Sequence, residues 1–229
     1  MNFEEWEPVY ERLLRAFGFD RADDERARDV LAELVADADA GPFDPTELDA
    51  AGATVAVVGA APCLPAEVGR AADADLVFAA STAADVCRDA GVPVDCMVTD
   101  LDKNPETART LTREGVPVAA HAHGDNLEAV REWVPRFDAS HTLPTTQAAP
   151  AGPVRNFGGF TDGDRAAFLA DALGAARLTF VGWAFDDADV DTIKAEKLRW
   201  AERLLYWLER RREERFAVLD GRRESLSLP

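Results

Sequence analysis

Six short apolar runs alternating with helical stretches constrain this chain more than any other feature. The runs cover 53–59, 75–80, 94–99, 116–121, 138–142 and 176–183, and helices are expected near 65–72, 82–90, 105–114, 125–134 and 162–173. A run such as ATVAVVG has no polar alternation, so both of its faces are buried, and helical crossovers make neighbouring strands parallel. The expected fold class is α/β: a Rossmann-like, mostly parallel sheet with helices on both faces, plus N-terminal helices and a long C-terminal helix. The N-terminal helices fall at 3–17, with an apolar stripe of Phe3, Trp6, Tyr10, Leu13, Leu14 and Phe17, and at 21–39, with Val30, Leu31, Leu34 and Val35. Gly41, Pro42 and Pro45 then separate a helical segment, 1–50, from an α/β domain, 51–229. The long helix is expected at roughly 190–214, and the last dozen residues as a loose tail or an edge strand built on FAVL. The Pro- and Gly-rich segment 144–161 reads as a long irregular loop and a substrate lid.

Composition narrows the partners. A net charge of −18 argues against nucleic acid and against an anionic membrane surface. The charged set contains twenty-two arginines and three lysines, and an acidic excess of this size is tolerable where salt screens it, which points to a halophilic source. No run is long enough to span a membrane, and the start, MNFEEWEPVYERLL, is acidic rather than signal-like, so the expected location is cytoplasmic. Cys63, Cys87 and Cys96 are dispersed and read as buried free thiols. A homo-oligomer is left open.

Chemistry gathers where strands end. Six Asp-x-Asp pairs occur in this acidic chain, at 37/39, 73/75, 100/102, 162/164, 187/189 and 189/191, so the spacing alone carries little. Placement selects Asp100 and Asp102, which leave an apolar strand at its carboxyl end, where open sheets bind ligands. Mg²⁺ takes one or two carboxylates and fills its shell with phosphate oxygens and water, which suits this pair. HAHGDN follows the next strand and supplies His121, His123, Asp125 and Asn126. Zinc on the histidines with Asp125 is the minor reading, and Asp125 is expected to cap the helix that follows. In NFGGFTDGDR, Asp162, Asp164 and Arg165 open a helix after two glycines, which reads equally as a capping motif or as a phosphate contact. Lys103, Lys194 and Lys197 are the lysines of a chain that otherwise uses arginine, as a compact charge for a triphosphate requires. Gly59 stands alone in VGAAPCLPAE, so no dinucleotide fingerprint is present.

With these residues in view the chain resembles the archaeal 6-hydroxymethyl-7,8-dihydropterin pyrophosphokinases, related in fold to the catalytic domain of thiamin pyrophosphokinase. The matching runs are VTDLD (98–102), HAHGDN (121–126), TTQ (145–147), NFGGFTDGDRA (156–166) and the K-x-x-K-L of 194–198. Lys103 stands where the family has Gly, and Ala61-Pro62-Cys63-Leu64 where it has Gly-Pro-Ser-Leu. The resemblance implies Mg²⁺-dependent transfer of diphosphate from ATP to a pterin alcohol, with release of AMP, on a folate or methanopterin-type route. It matches Asp100 and Asp102 to the family's metal-binding acidic pair; on the residue inventory, catalysis is then expected of these two with His123 and Asp125. Lys194, Lys197, Arg165, Asp162 and Asp164 would bind ATP, and His121, Asn126, Gln147, Asn156 and Phe157 the pterin. The rival readings are a metal-dependent glycosyltransferase-like enzyme and a non-catalytic nucleotide- or metal-binding module.

Overall fold

The computed structural model describes residues 1–38 and 40–229. Asp39 lies outside the described residues, and with it the far end of the expected 21–39 helix and the second member of the 37/39 pair. Among the described residues six strands form one sheet: β1 Thr54–Val58, β2 Leu76–Ala80, β3 Cys96–Thr99, β4 Val118–Ala122, β5 Thr142–Thr146 and β6 Arg177–Val181. The order is β5-β4-β3-β2-β1-β6, which meets the α/β expectation. Helices α3 Leu64–Glu67, α4 Ala83–Asp89, α5 Pro105–Arg113 and α6 Leu127–Trp133 alternate along the chain with the first five strands. Two compact units divide the chain.

The first unit comprises 1–48 and 95–158. Its strands β3, β4 and β5 pair in parallel, with Thr99 opposite Ala120 and His121 opposite Thr145. Helix α1, Phe3–Phe17, starts at a capping box formed by Asn2 and Glu5 and ends at Gly18, whose φ of +69° closes the last turn. Helix α2, Arg21–Ala36, is capped by Asp20 and packs on β4 and β5. Its buried stripe is Asp24, Ala27, Leu31 and Val35. The strand expected at 138–142 begins instead at Thr142, because Asp138 caps a 3₁₀ turn over Ala139–His141. The expected lid is partly strand and partly stapled: Thr146 N–H bonds Arg155 O at 2.9 Å, and Arg155 N–H bonds Pro144 O at 2.9 Å.

The second unit comprises 49–94 and 159–229. In it β1 pairs in parallel with both β2 and β6. Helix α7, Asp162–Ala172, packs on β1 and β2, and α8, Thr192–Arg212, packs on α7. At the carboxyl ends of β1 and β6 the backbones meet closely: a Cβ on Gly59 would lie 2.7 Å from Gly182 O. That approach explains the lone glycine after β1 without any nucleotide. Trp183 fills the adjoining space, its Nε1 donating to Val57 O at 3.0 Å.

The chain end is neither loose nor a strand. Residues Ala217–Leu219 form a 3₁₀ turn, and Phe216 and Leu219 are fully buried. Arg223 grips Glu209 of α8 with two hydrogen bonds, at 2.8 and 2.6 Å. Burial works to raise the Glu209 carboxyl, but Arg223 and the Phe216 N–H together hold it below its ordinary range. Hydrogen bonds from Arg222 and Arg223 likewise lower Asp186 and Asp220. A carboxyl lowered on folding stabilises the protein above its unfolded pKa and loses that contribution as acid protonates it in the folded state. Stability should therefore be level from neutral pH to about pH 5 on this account and fall below about pH 4. The urea midpoint at each pH reads this, and the fall should shrink in Glu209→Gln. An undiminished fall would exclude this clasp as the acid-labile element.

Of the thiols, Cys87 and Cys96 are buried and Cys63 is half-buried, all free as expected. Burial pushes the Cys96 thiol up to about 12. No helix among the described residues is long and apolar enough to cross a membrane.

Candidate active site

The turn after β3 presents its two carboxylates through a strained backbone. Leu101, between them, holds φ at +67°, a region that costs an L-residue about 1–2 kcal/mol. Its side chain is only 2% exposed, so core burial offsets the strain. With the leucine turned inward, Asp100 is left half-buried and Asp102 exposed. Thr99 Oγ1 accepts the Leu101 N–H at 3.0 Å, and Asp100 Oδ1 accepts the Asp102 N–H at 3.4 Å.

Strand β4 delivers HAHGDN beside this turn. Before helix α6, Leu127–Trp133, the chain makes a 3₁₀ turn over Gly124–Asn126. The helix cap expected of Asp125 does not form: Asn126 holds the N-cap position of the helix without a side-chain cap bond, and the side-chain cap falls on the 3₁₀ turn, from His123. His123 Nδ1 accepts the Asp125 N–H at 3.3 Å, and Asn126 Oδ1 accepts the His123 N–H at 2.9 Å. The Asp125 side chain is exposed. With Nδ1 used as an acceptor, a neutral His123 ring carries its proton on Nε2, which lies 3.6 Å from Asp100 Oδ2. His121 is buried, with Nδ1 3.1 Å from Thr145 Oγ1 on β5.

Asn126 ties the two strand ends together. Its amide donates to Asp100 O at 2.6 Å and to His121 O at 2.7 Å. Asn126→Ala withdraws that donor from both carbonyls and should cost about 1–3 kcal/mol. A urea midpoint equal to the wild type's would show that the clamp is idle.

Gln147, Asn156 and Phe157, the three other residues of the expected pterin set, belong to the same unit. Gln147 is buried, and its Nε2 donates to Asp24 Oδ2 at 2.8 Å. Asn156 bonds Gln147 O and Ala148 O at 2.8 and 2.7 Å and accepts the Gly158 N–H at 2.8 Å. Phe157 is half-buried.

A family described as 6-hydroxymethylpterin diphosphokinase MptE-like matches residues 35–189. A protein of Methanothermobacter thermautotrophicus is 36% identical over 227 residues, covering 92% of this chain and 96% of its own length. One from Pyrococcus furiosus is 34% identical, covering 91% and 94%, and one from Methanocaldococcus jannaschii 29% identical, covering 91% and 96%. The chain belongs to the MptE-like family. All three relatives are named 6-hydroxymethyl-7,8-dihydropterin pyrophosphokinase.

The second unit of this MptE-like chain holds the remaining expected residues. Thr161 and Asp164 form a capping box at the start of α7, with Asp164 fully buried and bonded by the Thr161 and Phe160 N–H groups. Burial pushes the Asp164 carboxyl up, against the pull of those bonds. Arg165 is buried and pairs with Asp162 at 3.0 Å. The two glycines before the helix permit a close pass: a Cβ on Gly159, at φ +90°, would lie 2.6 Å from Arg165 Cα. Lys197 Nζ stands 5.8 Å from the Phe160 ring centroid, and Lys194 is half-buried one turn earlier.

Asp24 escaped the sequence reading. It is 2% exposed and accepts from Tyr10 Oη at 2.7 Å, from Gln147 Nε2 and from Gly124 N–H at 2.7 Å. Its signal was present: an acid at the position where the stripe of Ala27, Leu31 and Val35 calls for an apolar side chain.

Among the described residues no three His, Cys, Asp or Glu side chains group to hold a metal ion by themselves. The Asp100–Asp102 turn offers hard carboxylate oxygens, one half-buried and one exposed, a donor set that fits a cation sharing its shell with substrate oxygens and water.

Proposed function

We propose that this chain transfers a diphosphate from ATP to the hydroxymethyl group of 6-hydroxymethyl-7,8-dihydropterin and releases AMP. Family membership supports the pterin diphosphokinase activity. The observation that carries the reading further is the Asp100–Leu101–Asp102 turn, whose buried leucine leaves Asp102 exposed and Asp100 3.6 Å from His123. Asp100 and Asp102 would hold Mg²⁺, which when bound neutralises charge on phosphate oxygens.

The substrate hydroxyl oxygen bonds to the β-phosphorus, the bond from that phosphorus to the α,β-bridging oxygen breaks, and AMP leaves with the bonding pair. Such a transfer needs alignment and charge balance more than a covalent intermediate. The hydroxyl proton passes to Asp125, whose exposed carboxylate is open to substrate. His123, with its proton on Nε2, orients Asp100. Asp162, Asp164, Arg165, Lys194 and Lys197 stay assigned to ATP on their residue types and the family's motifs. A folate or methanopterin-type route would use the product.

The test is incubation of purified protein in molar salt with ATP, Mg²⁺ and the pterin alcohol, followed by ³¹P NMR and chromatography. AMP and a pterin diphosphate should appear in equal amounts. Folded protein that forms neither, or that forms ADP instead, overturns the reading. Transfer from a nucleotide sugar in place of ATP would favour the glycosyltransferase-like alternative.

A further inference from the structure

We propose that Asp24, on an N-terminal helix outside the family's motifs, is a positioning residue that holds the His123–Asp125 turn in register with Asp100. The inference rests on the reading of that turn as catalytic.

Three donors converge on this carboxylate, Tyr10 Oη and Gln147 Nε2 on Oδ2 and Gly124 N–H on Oδ1. A charge taken out of water costs several kcal/mol unless its partners recover it. Among the described residues no Lys or Arg is bonded to Asp24, so neutral donors alone satisfy it. An apolar side chain at this point of the α2 stripe would pack without that cost. The acid is therefore explained by what it holds rather than by packing.

What it holds is the centre of HAHGDN. The other amides of the turn are satisfied from within: His123 N–H by Asn126 Oδ1, Asp125 N–H by His123 Nδ1 and Asn126 N–H by His123 O. Gly124 N–H reaches outward, to Asp24. Gly124 also presses on the helix, since a Cβ there would lie 2.8 Å from Asp23 Cβ. The glycine of the motif is thus required by the approach of α2, and the aspartate locks that approach. His123 and Asp125 flank the locked residue on either side. Their side chains are set by a backbone fixed at one point, and His123 Nε2 stands 3.6 Å from Asp100 Oδ2 as a result.

Displacing a reacting group by an ångström costs about 100-fold in rate. Asp24→Ala should therefore lower kcat about 10- to 100-fold while KM for ATP stays within about twofold. Asp24→Asn, whose amide oxygen can still accept from Gly124, should recover most of that loss. Tyr10→Phe removes a different donor from the same carboxylate and should keep kcat within about twofold, whatever it costs in stability. If Asp24→Ala does not fold, Gly124→Ala carries the test and should show the same fall in kcat. A readout independent of turnover is amide exchange by NMR, where Gly124 should exchange about tenfold faster in Asp24→Ala while the β4 amides stay unchanged. A wild-type protein that makes no AMP sinks the functional reading and leaves the exchange measurement to decide this one. Unchanged Gly124 exchange, wild-type kcat in folded Asp24→Ala, or an equal kcat fall in Tyr10→Phe would overturn the positioning role.

Discussion

Replacing Asp100 with alanine should reduce AMP release about 100- to 1000-fold, with the protein still folded. That range corresponds to about 3–4 kcal/mol of lost transition-state stabilisation. The side chain is 20% exposed, so its removal opens no sealed cavity and the stability cost should be small. Its backbone carbonyl stays clamped by Asn126, and Leu101 stays buried, so the turn keeps its shape. The loss should then come from the missing charge. Asp100→Asn isolates that cause, because the amide has the same size and still offers an oxygen to the Asp102 N–H. Asparagine should be nearly as inactive as alanine. Retention of more than about a tenth of wild-type kcat in Asp100→Asn would mean that the negative charge is not what the reaction uses.

The largest stability effect is expected in the second unit, at Phe216. Its ring is fully buried, 4.8 Å from the Phe180 ring centroid, and its N–H donates to Glu209 Oε2 at 2.6 Å. Truncating a buried phenylalanine removes both transfer energy and packing, about 3–5 kcal/mol. Phe216→Ala should lower the urea midpoint by that equivalent, whereas Leu228→Ala, at a side chain 52% exposed, should leave it near the wild type's. A loss below about 1 kcal/mol for Phe216→Ala would make the final segment peripheral to the core.

The contrast between these positions shows where sequence reading succeeds. VTDLD and HAHGDN are legible because strand ends in an open sheet are where side chains leave the core, and periodicity locates strand ends. The shift of β5 to Thr142 was hidden by a local event, the capping of a 3₁₀ turn by Asp138, which competes with the strand at its start. FAVL reads as a strand from its β-branched and aromatic residues, yet the Glu209–Arg223 pairing folds it back on α8. Tertiary hydrogen bonds overrode propensity there. The helix cap expected of Asp125 was lost for a similar reason, since the backbone first entered a 3₁₀ turn that His123 caps.

The alternation of apolar runs and helices determined by itself that this chain builds a parallel α/β sheet, because backbone hydrogen bonding and burial leave few other ways to satisfy such a pattern. It also determined that Asp100, Asp102 and the histidine run stand at strand ends. Only the folded structure decided that Leu101 is strained and buried, that Asn126 joins the ends of β3 and β4, and that Asp24 reaches across a hundred residues to Gly124. Those features depend on contacts between segments distant in the chain, and one-dimensional periodicity carries no information about which distant groups will meet.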